Sequence, residues 1–223
     1  MKVSKKIMIF ISIATAILLS ACGGKPNEKI HKNLEKSVEI ESKAGETQSS
    51  IIKLEKQEKE IYDKLIALGE KDMKKIKKLS DDATTNIDNR KDLIAEEKKS
   101  MEESKKNFEE IKDQIDKLET DKEKSSAKKM YKTMENRFNL YENLNKTYTK
   151  SLAEEKKMYK MLAKKDATHE QVSSQIKAVN TSYEKLIETN KTFNKKTKEY
   201  NEQKKAFYKA TDLDVSYKKQ KEK

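Results

Sequence analysis

The chain of 223 residues has no tryptophan, one proline, four glycines, one cysteine and two histidines. Pro26, Gly23, Gly24 and Gly45 fall early, and no glycine or proline follows Gly69. A compact β or α/β domain needs turn residues at about every tenth position, so those fold classes are excluded. A phosphate-cradling loop and a nucleophile elbow both require glycine, and neither can be built here. His31 and His169 have no second His or Cys at ligand spacing and read as surface or capping residues. The glutamates sit among lysines three or four residues away, the pattern of solvated helix faces. We therefore expect no catalytic residue, no cofactor and no metal. Arginine is nearly absent as well: of 51 Lys and Arg residues, only Arg90 and Arg137 are arginine.

What is present begins at the amino terminus. Lys2, Lys5 and Lys6 precede Ile7 to Leu19, which are apolar apart from Ser12 and Thr15, and Leu19-Ser20-Ala21-Cys22 leads into Gly23-Gly24. That is a secretory signal in its usual order. The apolar run has 13 positions, whereas a membrane-spanning helix needs roughly 20. A plain secretory signal cut elsewhere would leave Cys22 as a lone thiol. Leu19 to Cys22 instead resembles a bacterial lipobox. The resemblance implies peptidase recognition of Leu19, Ser20 and Ala21, cleavage before Cys22, and an S-diacylglyceryl group on Cys22, with or without acylation of its amine. Two acyl chains hold a protein stably at a bilayer, at about 0.8 kcal/mol per buried methylene. Residues 1–21 would then be lost and 22–223 would lie lipid-anchored at the outer face of the cytoplasmic membrane, extending into the wall.

With Lys2, Lys5 and Lys6 removed, the formal charge falls from +12 to +9, still basic and almost all lysine. Lysine is a flexible point charge without the planar fork of arginine. Its excess reads either as diffuse attraction to an anionic surface, such as headgroups or wall polymer, or as solvation of helix faces. Nucleic acid is not expected, because export removes it and mixed Lys/Glu faces make poor phosphate tracks.

The rest of the chain is 3-4 periodic. Residues 22–27 read as a tether, and helical pattern starts near Glu28 with Ile30 and Leu34, weakens from Glu41 to Ser50, and continues through Ile51, Leu54, Ile61, Leu65 and Leu68, with Glu58 interrupting and Gly69 as a stop. Glu70 to Leu79 form a short connecting helix in this reading, and Ser80-Asp81-Asp82 starts another that carries Ile87, Ile94, Met101, Phe108, Ile111, Ile115 and Leu118. Thr120-Asp121-Lys122-Glu123 has capping-box spacing, and Thr168 to Gln171 repeats it. The last segment alternates four and three from Val172 through Ile176, Val179, Tyr183, Leu186, Asn190, Phe193, Thr197, Tyr200 and Lys204 to Phe207. Expected helices are therefore 28–68, 81–119, 122–164 and 168–209, with 210–223 a flexible basic tail.

Four segments of similar length predict an all-α, elongated, antiparallel up-and-down four-helix bundle with helices about 60 Å long. The alternative is a three-helix bundle or long coiled coil in which Thr120 marks only a kink. With four helices the chain end returns to the anchored end, bringing Lys218, Lys219, Lys221 and Lys223 beside the membrane; with three it points away. Tyr131, Tyr141, Tyr148, Tyr159, Tyr183, Tyr200, Tyr208 and Tyr217 concentrate in the second half. Aromatic faces could line a sugar groove between the last two helices, but seam positions favour a core role with the hydroxyl reaching outward.

A lipobox at Leu19 to Cys22 on a Lys/Glu-rich, all-helical chain without an enzyme motif resembles the YkyA-type family of cell-wall-binding lipoproteins of low-GC Gram-positive bacteria. The resemblance covers nearly the whole chain and implies a membrane-anchored helical bundle, non-enzymatic, whose partner is anionic wall polymer or peptidoglycan. A protein-interaction scaffold or coiled-coil dimer at the membrane surface is the alternative.

Overall fold

The computed structural model describes residues 24–69 and 72–213. Leu19 to Cys22, Tyr217 and the tail lysines Lys218, Lys219, Lys221 and Lys223 lie outside the described residues. Every regular element among those described is helical: α1 (Pro26–Leu68), α2 (Met73–Glu109), the single-turn α3 (Lys112–Ile115), α4 (Asp121–Leu162) and α5 (His169–Ala210).

The chain forms two compact units, and α1, α2, α4 and α5 each contribute to both. Unit 1 comprises the described residues of Glu46–Lys98 and Glu142–Lys191; unit 2 comprises those of Met8–Gly45, Lys99–Tyr141 and Thr192–Lys223. Within unit 1, Gln48 meets Glu97 and the Leu54 carbonyl meets Asn86, so α1 and α2 run antiparallel. Ile94 faces Asn145 and Arg90 faces Glu155, so α2 and α4 do too. Within unit 2, Ser37 faces Ser104, Phe108 packs on Tyr131 and Phe138, Arg137 meets Thr197, and Tyr208 meets Glu35. The fold is an antiparallel four-helix bundle, and the three-helix alternative is removed because the chain reverses between α2 and α4.

The expected helix start at Ser80-Asp81-Asp82 is absent, because α2 runs unbroken from Met73. Its amino-terminal cap is Asp72, whose Oδ1 accepts the Lys75 amide at 3.0 Å. The buried stripe passes through Ile76, Ser80, Ala83, Ile87, Arg90, Ile94, Glu97, Met101, Ser104 and Phe108 without a change of phase. Four of these are polar, and they made one seam read as two pieces. α1 likewise crosses its weak stretch without a break, with Ser37, Glu41, Ala44 and Gln48 buried. It also begins two residues before the expected start, since proline suits the first helical turn.

The α2 expectation also ran too far: the helix ends at Glu109, and Ile111, Ile115 and Leu118 are buried in the reversal that follows. That reversal uses i to i−3 bonds, including Ile111 N to Phe108 O at 3.1 Å and Gln114 N to Ile111 O at 3.0 Å. Such turns keep apolar residues at helix-like spacing while tightening the chain, so glycine is unnecessary.

Thr120 and Glu123 form the capping box reciprocally, the Glu123 amide donating to Thr120 Oγ1 at 3.2 Å and the Thr120 amide to Glu123 Oε2 at 2.8 Å. Thr168 and Gln171 repeat it at 3.2 and 3.1 Å. Gly69 ends α1 at φ +56, a conformation a side chain would strain. Replacing Thr120 by Ala is expected to lower stability by about 1 kcal/mol in urea denaturation; no change would mean the box does not hold the start of α4.

Candidate functional site

The bundle interior carries more polar chemistry than its apolar periodicity suggests, and the two arginines organise it. In unit 2, Arg137 on α4 is 2% exposed. Its Nη1 and Nη2 donate to Glu41 Oε1 and Oε2 on α1 at 2.8 and 2.7 Å, and Nε donates to Thr197 Oγ1 on α5 at 3.0 Å. The Ser104 hydroxyl on α2 donates to Glu41 Oε1 at 3.0 Å. One bidentate pair thereby joins all four helices. The guanidinium also lies 5.0 Å from the Phe193 ring centre.

Nearby in the same unit, the Tyr208 hydroxyl donates to Glu35 Oε1 at 2.8 Å, and Lys204 Nζ lies 3.7 Å from that oxygen. Burial lowers the Lys204 pKa, and Glu35 opposes the shift. The His31 ring lies tilted against Tyr208 with centroids 5.2 Å apart, and burial lowers its pKa against the pull of Glu35. His169 opens α5 and is exposed.

In unit 1, Arg90 on α2 is fully buried and pairs with Glu155 on α4. The Tyr183 hydroxyl on α5 donates to the other oxygen of that carboxylate. On α1, Glu55 accepts from the Tyr148 hydroxyl and Glu58 from the Tyr159 hydroxyl. Three carboxylates thus surround one guanidinium, and the balance is negative. Burial, with the Glu155 and Glu55 charges adding and the Tyr159 and Arg90 contacts opposing, pushes the Glu58 carboxyl up to about 7. Burial raises Glu55 as well. Burial and the facing carboxylates hold the Tyr148, Tyr159 and Tyr183 phenols well above their usual range. Burial works against the Arg90 charge, but Glu155, Tyr183, Tyr148 and Glu58 together outweigh it and hold the guanidinium firmly protonated.

Among the described residues no group of three or more His, Cys, Asp or Glu is placed to hold a metal. The chemistry of these clusters is cohesive: Arg137, Arg90, Tyr148, Tyr159 and Tyr208 each reach a carboxylate on another helix, which fixes register. Of the tyrosines expected on seams, Tyr141, Tyr148, Tyr159 and Tyr200 are buried and Tyr183 is half-buried, and Tyr131 and Tyr208 are buried as well. Sequence reasoning noted Glu58, Glu155 and Lys204 on seam positions without assigning partners. The usable signal was the pair of arginines in a lysine chain, because a buried cation that must satisfy a carboxylate fork favours arginine.

Native Glu58 holds its proton more tightly than the unfolded chain. That contribution to stability is complete below about pH 4.5 and is lost as pH rises through about 7. His31 acts in the opposite sense, its contribution being lost as pH falls, so the difference between wild type and E58Q isolates Glu58. Between about pH 5 and about pH 8, wild type should lose about 1–3 kcal/mol relative to E58Q in urea denaturation. Parallel curves would contradict the assignment.

Residues 25–210 match the YkyA family, described as "Putative cell-wall binding lipoprotein". The chain is 35% identical over 203 residues, 91% of each protein, to an uncharacterized lipoprotein, YkyA, of Bacillus subtilis (strain 168). It also superposes on a conserved protein of unknown function from Staphylococcus aureus, with a TM-score of 0.71 at 20% identity over 86% of this chain and 97% of that one. That likeness bears on the fold alone. Matched to this family model and to a lipoprotein relative along nearly its whole length, the chain belongs to the YkyA family of lipoproteins.

Proposed function

We propose that the protein is a non-enzymatic surface lipoprotein, anchored through diacylglyceryl-Cys22 and binding cell-wall polymer through the outer faces of its helices. The observation that carries this is the Leu19-Ser20-Ala21-Cys22 signal on a chain of that family. Gly23, Gly24 and Lys25 alone separate Cys22 from α1, so the anchor holds the start of that helix close to the bilayer. In unit 2, α5 ends beside the start of α1, with Tyr208 on His31 and Glu35. The basic residues that follow in sequence, Lys218, Lys219, Lys221 and Lys223, supply in this proposal about 1 kcal/mol each of attraction to anionic headgroups. The interior is committed to cohesion, which leaves the lysine-rich exterior to meet the wall.

Cys22→Ser is expected to release the protein from the membrane fraction and to abolish fatty-acid labelling; membrane retention of this variant would contradict the anchor. The full-length chain in neutral detergent should be retained by purified cell wall at low salt and released at high salt. No retention at low salt would remove wall binding.

One observation favours a second reading, a protein-interaction scaffold or coiled-coil dimer. Ile52 and Ile66 are exposed at 45% and 63%, two heptads apart on α1 in unit 1. Sedimentation of the full-length chain in detergent separates the readings, because a concentration-independent monomer removes the dimer.

A further inference from the structure

A groove of about 390 Å³ runs between α4 and α5 within unit 1. It opens because the facing positions carry small side chains: Thr147 on α4, and Ser174, Ala178, Thr181 and Ser182 on α5. Lys150, Lys177 and Lys185 border it, and none of the three forms a side-chain ion pair or hydrogen bond among the described residues. That sets them apart from lysines such as Lys59, Lys156 and Lys196, which are paired with Asp63, Asp88 and Glu199. The single carboxylate in the lining, Glu154, accepts from Gln175 Nε2 at 2.8 Å. The groove thus carries an excess of free positive charge along its border.

Its hydroxyls fall into two kinds. Thr147 and Ser182 donate to the Asn143 and Val179 carbonyls, at 2.8 and 2.7 Å, and so present only acceptor lone pairs. Ser174 and Thr181 are exposed and make no side-chain hydrogen bond among the described residues, which leaves them free to donate. Cations and donors suit phosphate oxygens, and acceptors suit the hydroxyls of a polyol or sugar between phosphates. Lysine in place of arginine gives point charges that follow a flexible polyanion without demanding a fixed fork. Cations spread along a groove, two turns of α5 separating Lys177 from Lys185, match a repeating ligand better than a single small anion.

We infer that this groove binds a phosphodiester-linked polyol or sugar polymer of the cell wall. The inference rests on the wall-binding reading above and names the polymer class and its site. Neutralising the groove as K150Q/K177Q/K185Q leaves every paired side chain in place, and unchanged helical circular dichroism checks the fold. A control, K53Q/K56Q/K91Q, removes the same charge from exposed positions of unit 1 outside the groove.

The test measures retention of full-length protein in neutral detergent on purified wall, on wall chemically stripped of its phosphodiester polymer, and on anionic lipid vesicles. Wild type should bind intact wall and lose most of that binding on stripped wall. The groove variant should bind intact wall about ten- to hundredfold more weakly, with a shallower salt dependence, and the control nearly as wild type. Equal wild-type binding to intact and stripped wall would overturn the polymer assignment and leave wall binding standing. Equal losses in the groove variant and the control, or a loss confined to vesicles, would overturn the groove. Failure of wild type on both walls would instead overturn the wall-binding reading itself.

Discussion

A buried arginine held by a carboxylate from another helix is the interaction on which the rest of this structure depends. In unit 2, Arg137 and Glu41 satisfy each other in bidentate geometry, and Ser104 and Thr197 complete the shell. In unit 1, Arg90 and Glu155 form the corresponding pair, closed by Tyr183. Charges taken out of water are costly, and mutual attraction offsets the cost only when geometry and remaining hydrogen bonds are met. Sliding one helix by a turn, or exchanging neighbours, would strand such a charge. The pairs therefore act mainly against alternatives, in seams that would otherwise be narrow and repetitive.

The two units resolve that problem differently. Unit 2 matches Arg137 with one carboxylate and surrounds it with the accepting Thr197 hydroxyl and the Phe193 ring. Unit 1 gathers Glu55, Glu58 and Glu155 around one guanidinium and offsets the surplus with phenol donors from Tyr148, Tyr159 and Tyr183. Burial, reinforced by that surplus, lifts Glu58 towards neutral pH. Phenols serve well here, since each brings a large apolar ring into the core and delivers its hydroxyl to a carboxylate on a neighbouring helix. Of the tyrosines that sequence alone left between sugar binding and core, Tyr148, Tyr159, Tyr183 and Tyr208 deliver their hydroxyls to glutamates. In the proposed wall-binding role, contact falls to the outside, where the lysines around the groove between α4 and α5 are unpaired among the described residues.

Much of the fold was legible in the residues. The 3-4 repeats, the capping boxes at Thr120 and Thr168, and Gly69 signalled helices and breaks, because caps and positive φ leave local chemical marks. The start of α2 was hidden because Ser80, Asp81 and Asp82 are good caps that the helix passes through, Ser80 being buried on its seam. The end of α2 was hidden because the i to i−3 turns at Ile111 and Leu118 keep the spacing of a helix. The buried clusters were harder still. Glu41, Arg90, Glu97 and Arg137 look like surface residues until helices are paired, and pairing depends on contacts between residues far apart in sequence. Of the proposed functional residues, Cys22 is readable from its flanks. The groove lysines are not, since what distinguishes them is the absence of partners.

The central claim is that the buried pair, and not apolar packing alone, fixes which helices meet. A double-mutant cycle on Arg137 and Glu41, each replaced by Met, measures this most directly by urea denaturation. Each single change should cost about 3–5 kcal/mol, because it leaves one charge buried without its partner. The double variant should cost far less than the sum, giving a coupling of about 2 kcal/mol or more. Additive losses would contradict the account, since they would mean that Arg137 and Glu41 act independently of each other.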